Sequence, residues 1–309
     1  REHPVILEGI TFPEPVFRAA VFAKTKADVD KLGTALARLV EEDPSITVSR
    51  DPDTGETIIA GLGESHIDIT AERLRRKFGV DVDLKTPRVP YRETIQVPAK
   101  AEYKHKKQTG GHGQYGHVLI ELEPLPRGSG FEFAERVVGG VVPKNFIPAV
   151  EKGIREVLPE GFLAGYPVVD VKVTLYDGSY HSVDSSAMAF KIAAAQAFKR
   201  GMEAGRPVLL EPIMNVAVTV PDQYVGDVMS DLNSRRARVM GMNPQNGVTV
   251  IEAQAPLAEM QRYATDLRSL TQGRGTFKMT FSHYEEVPQH IAANVIAEAK
   301  KEREQAAAH

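Results

Sequence analysis

Apolar residues recur at three- and four-residue steps in two places near the start of the chain: Val29, Leu32, Leu36 and Leu39, then Ile67, Ala71, Leu74 and Phe78. Each series lines one face of a 3.6-residue helix and predicts an amphipathic helix with a buried stripe. Short alternating runs flank both series, and Asp51-Pro52-Asp53-Thr54-Gly55 supplies a turn between two of them. The order from Val16 to Leu84 is therefore βαββαβ, that of a ferredoxin-like domain. The same order returns from Val208 to Phe281, where Val225, Val228, Met229 and Leu232 mark one helix and Leu257, Met260, Ala264 and Leu267 a second. Gly55 pairs with Gly247 and Glu64 with Glu259, about 195 residues apart, so one fold is expected twice.

Between the two copies the pattern changes. Alternating strands are expected around Lys100–Lys107 and His117–Glu123, a helix near Lys144–Leu158, a strand at Val168–Leu175 and a helix near Ser186–Met202. Prolines mark the borders, Pro87 and Pro90 on one side and Pro207 and Pro212 on the other, and stiffen the connections there. Pro288 opens a last helix carrying Ile291, Val295 and Ala299. The expected division is 1–86, then 87–206 together with the terminal helix 287–309, then 207–286. The fold class is α+β, two ferredoxin-like domains flanking a mixed α/β domain.

The chain has 309 residues, enough for two or three cores, with 38 Lys and Arg against 41 Asp and Glu. At a net charge of -3, any contact with nucleic acid must come from local basic clusters. The absence of cysteine excludes disulfides, thiolate metal sites and thiol nucleophiles, and cytoplasmic residence is the default expectation. No apolar run approaches the roughly 18 residues that span a bilayer, so no membrane partner is expected. The chain begins at Arg1 without a methionine and ends Ala306-Ala307-Ala308-His309, which reads as the edge of a longer sequence.

The densest local chemistry runs from Lys104 through His105, Lys106 and Lys107 into Gly110, Gly111, His112, Gly113, Gln114, Tyr115 and Gly116. Gly111, Gly113 and Gly116 have the spacing of a dinucleotide loop, but a basic stretch precedes them and a strand pattern follows, so no helix N-terminus is available for a pyrophosphate. A kinase glycine loop fails too, because no lysine strand, catalytic-loop aspartate or D-F-G triplet follows. The better account is a hairpin whose glycine tip can approach a ligand closely, with Lys104, Lys106 and Lys107 for phosphates and Tyr115 for stacking on bases. A merely solvated charged hairpin is the bland alternative.

A second polar loop holds Ser179, Tyr180, His181, Asp184 and Ser185 before an alanine-rich helix. His181, Asp184 and Ser185 invite a free-standing hydrolase reading, but no nucleophile elbow accompanies them, and Asp184 or Ser185 is better placed as the helix N-cap. His112 and His117 have no evident third metal ligand. Arg235, Arg236, Arg238, Arg268 and Arg274 could each meet a phosphate or simply face water.

Six segments together resemble elongation factor G, the bacterial translocase: Gly61-Leu62-Gly63-Glu64-Ser65-His66, Tyr91-Arg92-Glu93-Thr94, Gly113 to Val118, Tyr180 to Ser186, Pro256-Leu257-Ala258-Glu259-Met260, and Tyr263 to Ser269. The resemblance covers Val5 to Glu304 and implies the third, fourth and fifth of five domains, the fourth with a fold like domain 2 of ribosomal protein S5. It implies a non-catalytic, monomeric part of a ribosome-dependent GTPase, whose GTP and magnesium belong to a G domain absent from this chain. It further implies that Gly110–Gly116 and Gly178–Asp184 meet tRNA and mRNA at the decoding region of the small subunit. The arginine groups would then face large-subunit RNA near the factor-binding centre. His112, Ser182 and Ala187 depart from the family's usual Arg, acidic residue and Glu, so a recycling or ribosome-protection paralogue is the alternative expectation.

Overall fold

The computed structural model describes residues 14–108 and 113–307. Two compact units are present, one of residues 1–89 and 213–282, the other of 90–212 and 283–309. The first unit opens with β1 (Phe17–Ala23), α1 (Lys26–Glu42), β2 (Thr47–Arg50), β3 (Thr57–Gly61), α2 (Glu64–Phe78) and β4 (Val82–Lys85). These strands form an antiparallel sheet in the order β2-β3-β1-β4, the expected ferredoxin-like arrangement. Leu36, Leu39, Ile67 and Leu74 from the helices pack on Val21 and Ile59 of the sheet.

Val29, expected in that core, is 60% exposed. Thr25 caps α1 by accepting the Asp28 amide at 3.2 Å while its hydroxyl donates to the Asp28 carboxylate at 2.7 Å. This draws Asp28 inward, and Val29, one residue and about 100° further round, faces water. The helix α2 ends at Gly79, whose φ of 64° places it in the left-handed region where glycine carries no Cβ penalty.

The second unit contains β5 (Arg92–Ile95), β6 (Ala99–Lys107), β7 (Gln114–Pro124), β8 (Phe131–Glu135), α3 (Ile147–Val157), β9 (Val171–Ser179) and α4 (Ala187–Ala204). Its sheet runs β6-β7-β9-β8, with β8 parallel to β9. The strand β8 falls outside the sequence expectation because five residues are too few to establish a period. In α4, Ala189, Ala193, Ala194 and Ala197 are buried beside Phe190 and Phe198, so the helix backbone can lie close to its neighbours. Two glycines complete this approach. A Cβ on Gly153 of α3 would stand 2.3 Å from the Lys191 carbonyl oxygen, and one on Gly116 of β7 would stand 2.6 Å from the Ala189 carbonyl.

Glu93 of β5 is fully buried. Its Oε2 accepts the backbone N–H groups of Phe162 at 2.5 Å and Leu163 at 2.7 Å. Its Oε1 accepts those of Ala164, Gly165 and Tyr166 at 2.9, 3.0 and 3.1 Å. One carboxylate thereby satisfies five consecutive amide donors of a loop that has no secondary structure of its own.

The chain then enters β10 (Pro207–Pro221), whose first residues pair with β5 inside the second unit. The first unit resumes with the rest of β10, α5 (Val225–Ser234), β11 (Arg238–Gln245), β12 (Val248–Pro256), α6 (Leu257–Met260), α7 (Tyr263–Leu270) and β13 (Thr276–Glu286). The sheet order β11-β12-β10-β13 repeats the first ferredoxin-like pattern. The paired turn residues Gly55 and Gly247 have φ of 68° and 86°, so both turns require a residue tolerant of left-handed geometry.

The helix expected from Leu257 through Leu267 is broken at Gln261 and Arg262. There the Gln261 side chain donates to the Pro87 carbonyl at 2.5 Å and Arg262 pairs with Glu64 at 3.2 Å. The break turns both side chains onto the first ferredoxin-like fold, within the same unit.

The final helix, α8 (Gln289–Ala307), belongs to the second unit. Its Arg303 donates to the Glu160 carbonyl at 3.2 Å. The same guanidinium lies where a Cβ on Gly165 would stand, so the loop organised by Glu93 also seats the terminal helix. No helix among the described residues is long and apolar enough to cross a membrane.

Candidate nucleic-acid interface

The strands β6 and β7 form a long hairpin in which Lys107 faces Gln114, Lys106 faces Tyr115 and Lys104 faces His117. Alternation along β6 puts Lys100, Glu102, Lys104 and Lys106 on its exposed face. Among the described residues no carboxylate pairs with Lys104, Lys106 or Lys107. Gly111 and His112 lie outside the described residues.

The loop after β9 is sewn to this hairpin across more than sixty positions of sequence. Asp184 accepts the Gly113 amide through Oδ1 at 3.0 Å and the Tyr115 amide through its own carbonyl at 2.8 Å. Ser185 donates its hydroxyl to the Tyr115 carbonyl at 2.9 Å and accepts the His181 amide at 2.9 Å. The two glycine- and histidine-bearing segments, expected separately from sequence, thus form one tip.

With the His117 ring neutral, the hydrogen bonds at the base of the tip run in one direction. His117 Nε2 lies 2.8 Å from the Glu102 carboxylate, which can only accept, so the ring proton of a neutral imidazole sits there. His117 Nδ1 then accepts from the Ser179 hydroxyl at 2.8 Å, and Ser179 accepts from the Tyr115 phenol at 2.7 Å. Ser179 is therefore engaged inside the tip, where it sets the position of Tyr115. The Tyr115 ring stands 6.3 Å from that of His181, centre to centre. Gln114 is exposed and approaches His105 at 2.8 Å, and Tyr180 is half exposed.

Gly116 does not present a surface. It is buried under α4, where the backbone approach leaves no room for a side chain. The N-cap of α4 is Ser186, which accepts the Ala189 amide at 3.1 Å, one residue beyond the two expected. Asp184 and Ser185 are instead engaged by the hairpin. This also dissolves the hydrolase geometry, since the Ser185 proton goes to a backbone carbonyl and not to His181. No cluster of metal-binding side chains occurs among the described residues.

The arginines of the first unit divide by environment. Arg235 pairs with Asp231 at 2.9 Å and Asp266 at 2.7 Å and lies over the Tyr263 ring, with its side chain only 16% exposed. Burial opposes its charge, but hydrogen bonds to Asp231 and Asp266 outweigh that and hold the guanidinium still more firmly protonated than usual. It acts as an internal clamp, its guanidinium taken up by these two carboxylates. Arg236 pairs with Glu259, Arg268 donates to the Leu62 carbonyl, and Arg274 bonds to and stacks on Tyr224. Arg238 is exposed at the start of β11.

Three family models match the chain: "Elongation Factor G, domain III" over residues 12–86, "Elongation factor G, domain IV" over 87–206, and "Elongation factor G C-terminus" over 208–295. An "Elongation factor G-like protein" of Thermotoga maritima is 54% identical over 306 residues, covering 99% of this chain and 45% of that protein. A crystal structure of a protein from Thermus thermophilus superposes with a TM-score of 0.83 at 46% identity, covering 95% of this chain and 44% of the other. The chain thus spans less than half the length of these relatives. With three consecutive family segments matched in order over nearly all of its length, the chain belongs to the elongation factor G family.

Proposed function

We propose that this chain is the ribosome-engaging portion of a translation elongation factor that promotes movement of tRNA and mRNA. The nucleotide chemistry, GTP with magnesium, resides in the remaining length of the parent protein, and this portion works in the cytoplasm without a catalytic group of its own. The observation that carries the reading is the tip: two segments tied together, three lysines without a carboxylate partner among the described residues, and aromatic side chains between. Lysines at that spacing neutralise phosphates, and Tyr115 and His181 offer the flat faces on which unpaired bases stack. Arg238, Arg268 and Arg274 are secondary candidates for ribosomal RNA, the last two constrained by the contacts described above.

The test is Lys104→Glu with Lys106→Glu and Lys107→Glu in the full-length parent. Ribosome-dependent tRNA movement is expected to slow at least about tenfold, and the slope of log affinity against log salt to fall by about 2. Parental rates with an unchanged salt slope would reduce the hairpin to a solvated face. A variant that moves tRNA normally but no longer separates ribosomal subunits would assign the tip to recycling instead.

A further inference from the structure

His181 is 53% exposed, yet one side of its ring is occupied. The backbone amides of Val183 and Asp184 both donate to Nδ1, at 3.3 and 3.2 Å. A nitrogen that accepts two N–H groups carries no proton, so in the neutral ring the proton belongs to Nε2, which points away from these amides. The residue whose backbone supplies one of the amides is Asp184, the same residue that holds Gly113 and Tyr115. Its Oδ2 lies 3.4 Å from Nδ1, and with the ring proton on Nε2 both atoms are acceptors, so no hydrogen bond joins them.

We propose that Asp184 is the positioning residue of the tip, holding Gly113 and Tyr115 in register and fixing His181 with Nε2–H outward as a hydrogen-bond donor to RNA acceptors. This rests on the RNA-contact reading above. The acceptor is a phosphate oxygen, a 2′-hydroxyl or a base carbonyl, not a donor such as an exocyclic amine. Tyr115 complements it, because with the His117 ring neutral its phenol proton goes to Ser179 and the phenol oxygen is left as an acceptor. The tip therefore presents a donor and an acceptor of known identity side by side.

The substitutions separate shape from chemistry. His181→Asn keeps an acceptor near the place of Nδ1, so the loop amides stay satisfied, but it has nothing in the place of Nε2–H. Asp184→Asn keeps an acceptor for Gly113, whereas Asp184→Ala removes it. The whole 309-residue chain is used with ¹⁵N labelling, and the probe is an unmodified tRNA transcript at low salt. In the parent chain, the His181 ring nitrogens are expected to show a protonated Nε2 and an unprotonated Nδ1. In Asp184→Ala that signature should average between the two nitrogens, and exchange of the Gly113 amide should rise about tenfold. Asp184→Asn should restore both.

Binding to the transcript should weaken about fivefold in His181→Asn with the Gly113 amide unchanged. An unaltered ring signature and amide exchange in Asp184→Ala would overturn the positioning role. Unchanged affinity in His181→Asn, alongside a loss in the triple lysine variant, would overturn the donor role and leave the RNA reading intact. A parent chain that binds the transcript no better than the triple lysine variant would overturn the RNA reading itself, while the ring signature decides the positioning role separately.

Discussion

Glu93→Gln is expected to lower the stability of the second unit by about 3 kcal/mol, although the change is near-isosteric. The amide retains one oxygen, which can still serve part of the loop, but its NH₂ group meets amide donors that need an acceptor. Each buried donor left without a partner costs about 1–3 kcal/mol. Relief from burying a charge offsets part of that loss, which is why the expected figure sits below the sum for two orphaned donors. Urea unfolding followed by hydrogen exchange at Phe162 through Tyr166 measures it. Because Arg303 of α8 rests on Gly165 in the same loop, the terminal helix should lose protection in parallel. A change under about 1 kcal/mol, with the loop amides still protected, would mean that the five bonds are not what orders this segment.

Gly116→Ala should cost about 2–3 kcal/mol, the range for forcing an added methyl into a closed interior. The new methyl would meet the Ala189 carbonyl carbon and oxygen at 2.6 Å and the Phe190 nitrogen at 2.8 Å, all backbone atoms that cannot rotate aside. Relief requires β7 and the first turn of α4 to separate. Both flank the tip: Tyr115 precedes the glycine, and Ser185 and Ser186 lead into α4. The variant should consequently lose RNA affinity as well as stability, although position 116 touches no ligand. A stable Gly116→Ala protein with parental tip contacts would show that the sheet and helix can separate at little cost.

The ferredoxin-like halves were legible because their helices are long enough for a three- and four-residue stripe to repeat, and because Gly55 and Gly247 mark turns that demand left-handed backbone. Val29 misled for a local reason, since the Thr25 cap sets the rotation of α1 before the apolar stripe begins. The caps and clamps were harder to see. Asp184 and Ser185 look like helix starters in the linear sequence, but the hairpin, some seventy residues earlier, recruits them and leaves the cap to Ser186. Glu93 carried one usable signal: it occupies the alternate position between Tyr91 and Ile95, both buried, where a charge must have partners. Those partners are backbone amides of a distant loop, which no side-chain pattern announces. The same limit applies to Arg235, whose partner Asp266 lies on a separate helix and follows no side-chain pattern that would pair the two.

The discontinuity of the first unit sets a timetable for its synthesis. Val16 and Phe17 pack partly against the core of the second ferredoxin-like fold, which is not complete until the chain has been made through Phe277. At roughly 5–20 residues per second, the interval between release of β1 and arrival of that partner is on the order of ten seconds to a minute. Through that wait the first ferredoxin-like fold has Val16 and Phe17 without their partner core, while the entire intervening domain emerges and folds. Newborn chains paused between Pro87 and Pro207 are accordingly the ones most exposed to aggregation, and slowing translation there should lower the yield of folded protein more than the same delay placed after Phe277.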